Sequence, residues 1–262
     1  MLSSGWLIAG LGAGALIFGI VVALIPRMGV RAPSPGDPAE GVAIFCGGLR
    51  WFGLRWGLRS VPEGLRKAGF RGRVIYWPWH EGWRLWNTPV LWDAALHERQ
   101  TRRIAAYINA FRQKYPDSPV HLLGCSAGGW IAAKAVERLP EELRIQSLTL
   151  LSAAVDPQRD LSNVLSHLDG VLLNCSSYCD FIILGAGTIL FGTGDRRHTA
   201  SCGLMGFAGP SAQDSRVEEL RWSPRMVLSG RYGGHASATP PGFIARYVAP
   251  RILHRRPDPR GN

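Results

Sequence analysis

The stretch from Val120 to Leu139, VHLLGCSAGGWIAAKAVERL, constrains this chain more than any other. An apolar run passes straight into Gly124-Cys125-Ser126-Ala127-Gly128. A segment of helical period follows, with Ala132, Ala135, Val136 and Leu139 apolar and Lys134, Glu137 and Arg138 polar. The pattern predicts a strand, a sharp turn and a helix. The glycines on either side of Ser126 lack Cβ atoms, so strand and helix can close on each other while the serine is held in a strained backbone with its hydroxyl exposed. Ala127 then opens the helix, and its backbone N–H can point at negative charge developing on a substrate oxygen.

The rest of the chain supplies partners for this unit. Gly41 to Cys46 is a short apolar run ending in Gly47-Gly48, which reads as a buried strand and a loop whose backbone can approach a ligand. Arg73 to Trp77 is a strand flanked by Arg71 and Pro78, residues that suit a sheet edge. Ala94 to Tyr115 has the spacing of a long helix, with Leu96, Ile104, Ala105, Ile108 and Phe111 on one face. Further strands are expected at Gln146 to Val155, Gly170 to Ser176 and Arg225 to Ser229, with a last helix around Phe243 to Val248. Strands alternating with helices imply an α/β fold with a mostly parallel sheet and helices on both faces. Active sites in such sheets lie beyond the carboxyl ends of the strands, where Asp156 and Asp180 follow their strands closely.

With G-x-S-x-G at Gly124, Ser126 and Gly128, a strand before it and a helix after it, the chain resembles the α/β-hydrolase family. The resemblance covers roughly Gly41 to Pro250. It implies a nucleophile at Ser126, an acid at Asp180 with Asp156 as runner-up, and a general base at His235 in the glycine-rich loop Gly230 to His235. The oxyanion donors it implies are the backbone N–H of Ala127 and one from Gly47, Gly48 or Leu49. His80 precedes the serine, whereas the family places its histidine last. The family usually opens with an antiparallel strand pair, and the stretch between the uncharged run at 6–25 and Gly41 leaves no room for one, so a trimmed sheet is expected. The implied activity is that of a serine hydrolase cleaving an ester, thioester or lipid-like acyl bond through an acyl-enzyme, with no cofactor and no metal. Acyl transfer on the same triad and a non-catalytic, membrane-tethered binding protein are the alternatives.

Composition limits the other classes. The net charge of +11 could serve a polyanion, but arginine is spread through the chain and no zinc spacing or helix-turn-helix pattern accompanies it, so no nucleic-acid partner is expected. Five cysteines, at 46, 125, 175, 179 and 202, are an odd number in a chain too large to need staples, and read as thiols. From Trp6 to Ile25 no charge interrupts an apolar run of bilayer-spanning length. The expected organisation is therefore a single-pass anchor over 1–30, a proline-rich linker over 31–40 and a hydrolase domain over 41–262. Arg27 and Arg31, following the apolar run, lead to the expectation that this domain is cytoplasmic. Tryptophans crowd the region from 51 to 92 and suit core packing, with an apolar acyl pocket or lipid headgroups as further uses. Phe181 to Phe207, apolar but broken by glycine, reads as a packed excursion forming part of the substrate cleft, with Asp195 to His198 making an ion pair or turn.

Overall fold

The computed structural model describes residues 36–50, 55–80 and 88–253, so the expected anchor at 6–25 and the C-terminal tail lie outside the described residues. Among the described residues no helix is long and apolar enough to cross a membrane.

Among the described residues, six strands form one all-parallel sheet: β1 (Val42–Cys46), β2 (Arg73–Trp77), β3 (Val120–Cys125), β4 (Ile145–Leu151), β5 (Leu168–Ser176) and β6 (Val217–Arg221). Their order across the sheet is β2-β1-β3-β4-β5-β6, so β1 and β3 lie side by side and β2 is an edge. No strand pair precedes β1 among the described residues. The alternation of each strand divides its side chains between two cores. Val42, Ile44, Leu122 and Leu148 meet α2 (Ala94–Lys114) and α3 (Ala127–Val136) on one face, through Ile104, Ile108, Ala132 and Val136. Ala43, Phe45, Leu123 and Leu173 meet α1 (Ser60–Lys67) and the C-terminal helical run on the other, through Val61, Leu65, Phe243 and Val248. Strands buried on both faces read as continuous apolar runs for this reason.

Two expectations are corrected. The segment Arg225 to Ser229 is not the last strand; Pro224–Ser229 is a 3-10 helix, and the sixth strand is Val217–Arg221, with the sequence VEELR. As an edge strand it buries only Leu220, so it carries no apolar run to announce it. The end of the expected linker also belongs to the domain: Asp37 caps a 3-10 turn at Pro38–Glu40, and Ser118 Oγ donates to Ala39 O at 2.8 Å.

Candidate active site

The site is built around the turn between β3 and α3. Ser126 occupies it with φ 55° and ψ −127°, a conformation that a side chain disfavours. The turn is pinned from both sides, since Ser126 N–H donates to Leu151 O at 3.1 Å and Ser126 O accepts from Ala154 N–H at 3.0 Å. Glycine is required on the inner side of the turn. A Cβ at Gly124 would fall 2.4 Å from Gly128 O, and one at Gly128 would fall 2.2 Å from Gly47 O. The sequence therefore lets the start of α3 press against the end of β1 and its following loop.

Two loops from the carboxyl edge of the sheet converge on Ser126. Asp180, after β5, is buried with its side chain 1% exposed and accepts from His235 Nδ1 at 2.7 Å. The other ring nitrogen of His235, Nε2, lies 3.0 Å from Ser126 Oγ. An imidazole whose Nδ1–H is held by a carboxylate presents a bare Nε2, which can accept a hydrogen bond from the serine hydroxyl. The Gly47–Leu49 loop approaches from the β1 side, where a Cβ at Gly48 would stand 3.0 Å from Ser126 Cβ. The N–H groups of Gly48, Leu49 and Ala127 have no backbone acceptor among the described residues. Also among the described residues, no group of three His, Cys, Asp or Glu side chains is placed to hold a metal ion.

The strand order places β1 between β2 and β3, the serine turn directly follows β3, and the acid and histidine follow β5 and β6. A family model described as alpha/beta hydrolase fold matches residues 78–174, the stretch that contains this turn. That stretch of the chain is thus similar to the α/β-hydrolase fold family. Among solved structures, the Trichoderma reesei cutinase in complex with a C11Y4 phosphonate inhibitor is similar at 12% identity and a TM-score of 0.40, over 94% of this chain and 87% of that one. RedJ with a PEG molecule bound in the active site is similar at 17% identity and a TM-score of 0.33, over 59% of this chain and 76% of that one. A search of curated proteins finds no match.

Three features of the site are not evident from its motif. The first is the pair Trp79 and His80, just after β2. Trp79, 1% exposed, donates from Nε1 to Gly47 O at 2.6 Å, and His80 Nε2 lies 3.2 Å from Gly48 O. Burial lowers the His80 pKa, so the ring is neutral at neutral pH and its Nε2–H donates to that carbonyl. Two successive carbonyls of the loop are thereby fixed. Because each peptide unit is trans and planar, fixing a carbonyl also aims the N–H of the next residue the opposite way, which here means Gly48 and Leu49.

The second is Arg231, buried beneath the His235 loop with its guanidinium 4.5 Å from the centre of the Phe243 ring and Nη2 3.5 Å from Ser152 Oγ. Burial pulls its pKa down, and the nearby Asp180 charge opposes that shift. The attraction between a buried cation and a buried carboxylate offsets part of the desolvation of each. The third is the fate of Asp156. Its backbone N–H donates to Asp195 Oδ2 at 2.8 Å, its carboxylate accepts from Gln158 N–H at 3.0 Å, and Arg197 Nε lies 3.6 Å away. Asp156 is thus occupied elsewhere and Asp180 is the carboxylate that meets His235. Asp195 is in turn bound by Arg159 and by Trp130 Nε1, which makes it a structural ion pair.

Proposed function

We propose that this protein is a serine hydrolase acting on carboxylic esters or related acyl bonds through an acyl-enzyme. The observation that carries the reading is the hydrogen-bonded line Ser126 Oγ, His235 Nε2, His235 Nδ1, Asp180 Oδ2, at 3.0 Å and 2.7 Å, reaching a strained serine at the head of a helix. In this mechanism Ser126 Oγ adds to the acyl carbonyl as its proton passes to His235 Nε2. The Ala127 N–H, with one N–H from Gly47, Gly48 or Leu49, stabilises the oxyanion. Collapse expels the leaving group, which takes the proton from His235. Water then adds to the acyl-enzyme, giving its proton to the same nitrogen, and Ser126 is released with the proton restored. Asp180 stays ionised throughout, holding the ring tautomer and supporting the imidazolium. The uncharged run at 6–25 would tether this domain to a membrane.

The test is covalent labelling by an alkyl fluorophosphonate, in which Ser126 Oγ displaces fluoride. Wild type is expected to label and turn over p-nitrophenyl esters. Ser126→Ala should not label, and Asp180→Asn should react about 10⁴-fold more slowly. A folded wild type that resists the reagent would overturn the reading in favour of a binding protein on this fold. Labelling without hydrolysis, but with acyl transfer to an added alcohol or amine, would make it an acyltransferase.

A further inference from the structure

The polarity of the sheet has a counterpart on the surface. All twelve large apolar side chains that are exposed among the described residues belong to connections leaving the carboxyl ends of β1, β2, β5 and β6. The turns that feed the amino ends, at 68–72, 115–119 and 137–144, contribute none. Exposure is high: Leu228 89%, Leu190 69%, Ile182 65% and Phe181 62%. These segments also abut. Trp92 and Phe191 have ring centres 6.2 Å apart, and Arg221 donates to Tyr178 Oη at 2.8 Å. Part of the patch adjoins the residues that meet Ser126, because Tyr178 and Phe181 flank Asp180 while Tyr232 stands three residues before His235. A soluble protein rarely leaves so many neighbouring apolar side chains in water without a use for them.

The charge of the same segments decides the partner. Over 177–207 and 221–240 the exposed charged side chains are Arg196, Arg197, Arg221 and Arg225, and His198 is exposed beside them. The two carboxylates there are withdrawn, Asp180 by burial and Asp195 by its pairing with Arg159. An apolar surface with four exposed arginines against the exposed carboxylate of Asp93, beside Trp92, is poorly matched to a second copy of this chain, whose own net charge is +11. It is well matched to a layer whose headgroups are anionic and whose interior is hydrocarbon, where each nearby arginine adds to the attraction.

We propose that the rim carrying Phe181, Ile182, Ile189, Leu190, Leu228 and Tyr232 docks on an anionic phospholipid bilayer. The arginines lie at the headgroups and the apolar side chains among the acyl chains, so the mouth of the site opens onto the lipid. The docking itself stands on the surface alone. Its consequence, that the substrate is an acyl ester drawn from the lipid layer without crossing water, rests on the hydrolase reading.

Since 6–25 could hold any variant on a vesicle, the readout has to be local. The full chain with Cys179→Ser carries an environment-sensitive NBD dye at Leu190→Cys, at Leu228→Cys or, at the opposite end of the sheet, at Glu141→Cys. Each is mixed with phosphatidylglycerol–phosphatidylcholine vesicles containing a nitroxide-labelled lipid. The dyes at 190 and 228 are expected to shift to the blue and to be quenched about twofold or more, with the dye at 141 unchanged and the effect weakened in pure phosphatidylcholine or by Arg196→Glu with Arg197→Glu. Equal responses at all three positions would mean a tether without docking and would overturn the proposal. So would a blue shift that needs no lipid and grows with protein concentration, which would identify a second copy as the occupant. Adding Ser126→Ala must leave the quenching intact, so quenching in a protein that resists the fluorophosphonate removes the hydrolase reading and leaves the docking surface.

Discussion

Gly128→Ala tests the geometry most directly, because the added atom meets backbone on both sides. Its Cβ would lie 2.2 Å from Gly47 O and 2.3 Å from Cys46 O. Carbon–oxygen contacts settle at about 3.3 Å or more, so something has to move by about 1 Å. Neither side yields easily. The end of β1 is clamped between β2 and β3, and the start of α3 is already in contact with Gly124. Overpacking of this kind costs about 1–3 kcal/mol, and rigid partners put the expected loss at the upper end. The shift falls on the loop whose Gly48 faces Ser126, and a displacement of about 1 Å in a catalytic constellation costs about 10²-fold in rate. Urea unfolding gives the first quantity, and the second-order rate of fluorophosphonate inactivation gives the second. A variant with an unchanged urea midpoint that is inactivated at the wild-type rate would refute the close packing on which the turn depends.

Other outcomes follow from the same structure. Trp79→Phe leaves the buried Gly47 carbonyl without its indole donor, which should cost about 1–3 kcal/mol of stability. It should also lower kcat for ester hydrolysis more than it changes KM, since the loop it steadies faces the oxyanion; equal effects on both constants would argue against that role. Asp156→Asn should leave the inactivation rate within about threefold of wild type while losing thermal stability, as its carboxylate serves Gln158 and Arg197, and a larger kinetic loss would reopen its candidacy. His121 is buried with Nδ1 2.8 Å from Ser147 Oγ, and burial lowers its pKa from 6.5 to about 4. Between those values the unfolded chain binds a proton that the folded chain refuses. The stability is therefore present above pH 6.5 and is lost as pH falls to about 4, by about 3 kcal/mol. Urea melts at several pH values should show a shallower loss in His121→Gln than in wild type, and equal slopes would rule out the buried neutral ring.

The parts of this protein that could be read from its sequence are those whose signal is local. Arg73–Trp77 stands where its flanking arginine and proline place it, and Ala94–Lys114 ends one residue from its expected limit because Asp93 caps its start and Pro116 stops its continuation. The sixth strand escaped because an edge position asks for one buried side chain in five, and Glu219 spends its carboxylate on Asn174 and the Phe207 N–H. The RMVLS stretch looked more strand-like, yet Pro224 fixes the backbone ahead of it and it coils. The roles of Trp79 and His80 were hidden for a different reason. Their carbonyl partners, Gly47 and Gly48, lie 32 residues earlier and come within reach only because β2 pairs beside β1. The same holds for Arg231, whose burial depends on Phe243 and on the strand ends beneath it.

On the proposed mechanism, the backbone of Ser126 sets function against durability. At φ 55° and ψ −127° a glycine would sit without objection, whereas any residue with a β-carbon is held there under about 1–3 kcal/mol of strain. Ser126→Gly should then melt higher than Ser126→Ala, even though glycine ordinarily weakens a fold through the freedom it restores to the unfolded chain. Two silent versions of this protein would thus differ in toughness, and the tougher would be the one least able to regain a nucleophile by a small chemical change in its side chain. Drift toward robustness and retention of reactivity pull on this residue in opposite directions.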